Sequence, residues 1–147
     1  MNKVPGPFVI VHNIGDVHNA VAAASKLGRP VTLISPPGAG ASMGPEVFKH
    51  MVEAGIDARI GSSSRDSITA VFDCASEPGQ AMAAIQAGIR HIRIDAGDDV
   101  RRKLCDMVGE DGSVLDGTPL SAFDPGSANK NNDTLLNWLS SQSETTT

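Results

Sequence analysis

Short, continuous, β-branched apolar runs alternate along this chain with longer alanine-rich stretches of helical spacing. Phe8-Val9-Ile10-Val11 is followed by Asp16 to Leu27, where Val17, Ala20, Val21, Ala24 and Leu27 recur at helical intervals. Gly28 and Pro30 then stop the helix. Val31 to Ile34 is the next short run, and Pro45 opens a stretch whose stripe of Val47, Phe48, Met51 and Val52 ends at Gly55. The alternation continues with Ile68 to Phe72, Pro78 to Ala87, Ile89 to Ile94, Asp98 to Val108 and a short Ser113 to Leu115. Apolar runs without polar alternation mark strands buried on both faces, and strands separated by helices call for a parallel sheet with crossover connections.

The expected fold is therefore α/β: a single three-layer α/β/α domain with a mostly parallel sheet of four to five strands. Half of a (β/α)8 barrel is the alternative, and its uncovered flank would call for a homodimer. Length agrees with one domain, since 147 residues bury a core without staples. The α/β domain is expected over 1–118. Composition then shifts to Asn, Ser, Asp, Gly and Pro, so 119–147 reads as a polar linker and tail whose apolar patch, Leu135 to Leu139, forms a turn or two of helix able to dock back. Between Ile56 and Ser67 the pattern is least legible, with Ala58 to Ile60 as a candidate edge strand.

Composition excludes several functions. The net charge is −5, so the basic footprint of a nucleic-acid or anionic-membrane binder is missing. Aromatic residues are 3% of the chain, too few for a base-stacking platform. No apolar run approaches a membrane span, and the first residues lack the form of a signal peptide. A cytoplasmic location is expected, with Cys74 and Cys105 as free thiols.

Sliding the chain on itself by 61 positions superposes two strand–helix–strand units without a gap. Asn19-Ala-Val-Ala-Ala falls on Gln80-Ala-Met-Ala-Ala, His12 falls on Asp73, and Asn13 on Cys74. Parallel sheets bind ligands beyond the carboxyl ends of their strands. The groups expected there are His12 and Asn13 after the first strand, Asp73 and Cys74 after the third, and Asp95 after the fourth. A glycine loop follows the second strand, with Gly38, Gly40 and Gly44 ahead of a helix N-terminus. Backbone N–H groups in such a place favour phosphate or carboxylate. The loop lacks the Lys of a nucleotide P-loop and its glycine spacing is not that of a dinucleotide fold.

Two uses of the remaining groups follow from their chemistry. His12, Asp73, Cys74 and Asp95 are all metal-ligand types, without the spacing of a compact metal motif. Cys74 would serve as a nucleophile only beside a base such as His12 or His18. No sequence pattern names a cofactor.

Asp73-Cys-Ala, Ala84-Ile-Gln-Ala-Gly and Ile92-Arg-Ile-Asp-Ala-Gly resemble a passage of class II aldolase barrels over Val71 to Gly97. The resemblance implies a catalytic role for Asp73 and a metal-binding His beside it, where this chain has Cys74. The strand order is also similar to that of phosphoreceiver domains. Those need an acidic pair after the first strand and a Lys after the fifth, and here His12-Asn13 and Leu115-Asp116 stand instead. The chain as a whole resembles small bacterial α/β proteins.

These readings converge on a domain that binds a small anionic, phosphorylated metabolite at the sheet's carboxyl edge. Asn13, Gly38, Gly40, Gly44, Cys74 and Asp95 are expected to bind, and His12 and Asp73 to supply acid–base chemistry. The alternative is a non-catalytic interaction or self-association module that uses the Leu135–Leu139 patch.

Overall fold

The computed structural model describes residues 4, 7–37, 43–57, 68–116, 122–125 and 132–141. In chain order they form β1 (Phe8–Ile10), α1 (Ile14–Leu27), β2 (Val31–Ile34), α2 (Pro45–Asp57), β3 (Ile68–Asp73), α3 (Pro78–Gln86), β4 (His91–Arg93), α4 (Asp98–Val108), β5 (Ser113–Leu115), β6 (Ala122–Phe123) and α5 (Asn132–Ser141).

Local chemistry sets the boundaries. Asn13 has extended backbone and its Oδ1 accepts the Asp16 N–H at 2.9 Å, while Asp16 Oδ2 accepts the His12 N–H at 2.9 Å. Asn13 thus satisfies one N–H donor that the first helical turn leaves without an intrahelical partner, and Asp16 holds the N–H of the residue before the cap. Gly28 ends α1 in the left-handed region at φ 64°, its N–H reaching back to the Ala24 and Ser25 carbonyls. Asp98 and Asp99 open α4, where the helix dipole favours acids.

All six strands are parallel and their order is β5-β4-β3-β2-β1-β6. The α/β class and the open parallel sheet are as expected, with one more strand. The extra strand, Ala122–Phe123, pairs with Phe8 and Val9. The sheet therefore continues past position 118, and the short helix expected around Leu135 to Leu139, α5, docks back on α1. Leu135 and Leu139 are buried, and the Phe123 and Trp138 rings meet at 5.6 Å. Two residues of strand are too short to show periodicity, so the polar composition around them concealed β6.

The five helices stand in one row. α1 packs against α5 and α2, α2 against α3, and α3 against α4. From β1 to β5 the strand order advances in a single direction, and right-handed crossovers then put every helix on the same face. Among the described residues this is the one-sided layout of the barrel alternative, not a sheet between two helix layers. The α1–α2 approach is close at Gly55, where a Cβ would lie 2.3 Å from Val17 Cγ1. Val9, Val11, Leu33, Phe72, Ile92 and Ile94 join the helices' buried stripes in the core. The Phe48 and Phe72 rings, 5.6 Å apart, fasten α2 to β3.

The ladder is open between β5 and β6, which stand at opposite ends of the strand order. On the side away from the helices, Thr32, Ile34, Val71 and Asp73 are buried.

The 61-residue repeat does not survive in register. Val9 pairs with Leu33, 24 positions on, whereas Phe72 pairs with Ile92, 20 positions on. The second unit crosses with a shorter helix, α3, and so pairs one helical turn earlier.

Candidate functional site

β3 and β4 end side by side, with Asp73 level with Arg93. Phe72, Ile92 and Ile94 join the core, so by the two-residue strand period Asp73 and Arg93 point to the opposite, helix-free face. There Arg93 Nη1 donates to Asp73 Oδ2 at 2.8 Å, with side-chain exposures of 16% and 3%. Asp73 Oδ1 accepts the Ala75 N–H at 2.8 Å, and the Asp73 N–H donates to Ser35 Oγ at 2.8 Å. A charge buried this deeply is tolerable only when paired and hydrogen-bonded, and Asp73 meets both conditions.

The turn after β3 is strained. Ala75 sits at φ 52°, the one non-glycine residue with positive φ among the described residues. The Asp73 carboxylate holds its N–H, and its carbonyl accepts the Asp95 N–H at 2.7 Å. Ala75→Gly, which relieves the left-handed strain, is expected to stabilise the fold by about 1 kcal/mol. A thermal melt of the variant checks this; an unchanged or lower midpoint would count against strain at Ala75.

Pro37, Asp73, Ala75, Ser76, Arg93 and Asp95 line a cavity of about 260 Å³ at this edge. The expected residues divide around it. Asp73 and Asp95 line it, and Arg93 joins them. Arg93 was legible in one respect: an Arg between Ile92 and Ile94 in a strand this short needs a polar reason to be there.

Asn13 is committed to capping α1. Gly44 stands before Pro45 at φ 78°, and its carbonyl accepts the Phe48 N–H, so it serves as the entry to α2. Gly38, Gly40 and Ala58 to Ile60 lie outside the described residues. His12 stands apart from the cavity. Its Nε2 is 2.7 Å from Asp124 Oδ1, joining the carboxyl ends of β1 and β6, with the two side chains 37% and 36% exposed. Asp124 was not anticipated, because β6 was not.

Cys74 is buried and faces the core. Burial first, and then the Asp73 charge, push its thiol up to about 12, so it stays protonated at neutral pH and is no nucleophile. A colorimetric thiol reagent is expected to titrate one cysteine in the native protein, the exposed Cys105, and two after denaturation. Two fast thiols in the native state would contradict a sealed Cys74. No three His, Cys, Asp or Glu side chains among the described residues stand close enough to hold a metal ion together. No described helix is long and apolar enough to cross a membrane.

No family model matches the chain, and no curated protein matches it significantly.

Proposed function

We propose that this protein binds a small, hydroxylated anionic metabolite, phosphorylated or carboxylated, in the cavity at the carboxyl ends of β3 and β4. The observation that carries the reading is the Arg93 guanidinium, fixed by a buried carboxylate on the wall of a 260 Å³ cavity. A planar guanidinium matches carboxylate and phosphate oxygens in pairs, and fixing it beforehand reduces the ordering cost of binding. Arg93 already balances the charge of Asp73. The exposed Asp95 carboxylate accepts hydrogen bonds, which suits ligand hydroxyls, and Ser76 adds a hydroxyl at the rim.

Titration of the ¹⁵N-labelled protein with inorganic phosphate and with glycerol phosphate tests this. Saturable shifts are expected at the Ala75, Ser76, Arg93 and Asp95 amides, tighter for glycerol phosphate. Ser76→Asp places a negative charge at the exposed rim without touching the Asp73–Arg93 pair, and is expected to weaken binding about tenfold or more. Equal binding by Ser76→Asp, or no saturable shift at millimolar concentrations of either probe, would overturn the proposal.

A further inference from the structure

A second cavity, of about 250 Å³, lies at the other end of β3 and β4, under α2 and the turn after α3. Its apolar walls are Phe48, Val52, Ile68, Ala70 and Ile89. The charged groups that line it are Lys49, Arg90 and Glu53, an excess of one positive charge in a protein of net charge −5. Lys49 is held at the mouth. Its Nζ donates to the Ala87 carbonyl at 3.0 Å and lies 4.0 Å from a Glu53 oxygen. His91 borders the cavity at the start of β4, on the strand face it shares with Arg93. Burial and the neighbouring Arg90 lower the pKa of His91, so the ring is neutral at pH 7 and the positive charge rests with Lys49 and Arg90.

An apolar cleft with a few convergent polar groups is the usual form of a small-molecule site. Its volume equals that of about eight water molecules, which sets the scale of an occupant at roughly eight heavy atoms. The cationic rim selects for a negative head, and the apolar walls for a hydrocarbon body. We infer that this cavity binds an apolar-bodied monocarboxylate, independently of the metabolite proposed for the carboxyl edge. Arg90, at the rim, pairs with the carboxylate, while Phe48, Val52 and Ile68 enclose the body.

The test is a titration of the full chain with hexanoate and with 1-hexanol, followed on the methyl resonances. Saturable shifts at Val52, Ile68 and Ile89 are expected, with hexanoate at least about fivefold tighter than the alcohol. Arg90→Gln is expected to erase that preference while leaving hexanol binding unchanged. Ala70→Leu, which adds bulk on the cavity wall, is expected to abolish both. Equal affinity for acid and alcohol in the wild type, or no saturable shift, would overturn the inference. So would a shift confined to the Ala75 methyl, in the other cavity. Because these outcomes are read on the wild-type protein, they stand even if Ala70→Leu fails to fold.

Discussion

Asp73→Ala is expected to destabilise the protein by about 3–5 kcal/mol, a large fraction of the stability of a domain this size. The substitution removes the buried carboxylate to which Arg93, 16% exposed, donates at 2.8 Å. It also takes away the acceptor for the Ala75 N–H in a turn that is already strained. Arg93→Met should cost less, because the carboxylate it leaves keeps the Ala75 N–H. The double variant Asp73→Leu, Arg93→Met removes both charges and is expected to recover much of the loss. Chemical denaturation of the single and double variants measures the coupling. If the two effects simply add, the pair contributes nothing as a pair.

Ending the chain at Leu120 is expected to abolish cooperative unfolding. The cut removes β6 and α5, and with them Phe123, Leu135 and Leu139, all buried to within 3%. Each such side chain stabilises the fold by about 1.5–3 kcal/mol. Their sum approaches the whole stability of an ordinary domain, about 5–15 kcal/mol. The cut also uncovers the flank of α1 on which α5 packs and removes the Leu139 carbonyl that accepts from Arg29. A truncated chain that melts cooperatively within a few degrees of the full one would show that the terminal helix is dispensable. Truncation is accordingly a stability experiment, and any role of α5 in self-association has to be tested by substitutions on its exposed side, at Asn137.

Most of the sheet was legible because its signals are local. Val31 to Ile34 is a run of apolar and β-branched residues and is a strand; Asp98 to Val108 carries its acids and its stripe and is a helix. What was not legible depends on partners distant in sequence. Ala122–Phe123 is a strand because β1 lies beside it, and the Leu135 patch is buried because α1 offers it a flank. The layering was likewise hidden, since the same alternation of strands and helices serves a one-sided and a two-sided sheet until the strand order is known. Asp73 and Asp95, expected at the carboxyl edge from position alone, line the cavity there. Arg93 carries no such positional signal, because its partner Asp73 lies 20 residues away. Asn13 stands where a ligand group would, yet an Asn three residues before an Asp at a helix start also signals a cap.

The pairing of β1 with β6 has a consequence for how the chain reaches this state. Residues near positions 8 and 122 are neighbours, so β1 must wait for a strand made more than a hundred residues after it. Until then its outer edge and the flank of α1 are bare, open to unintended strand pairing. Contacts this distant in sequence slow folding, and they make the docking of β6 and α5 a step that follows the making of the other strands. Ribosome-bound chains stalled before residue 132 should therefore be protease-sensitive throughout, becoming resistant in one step once α5 has emerged.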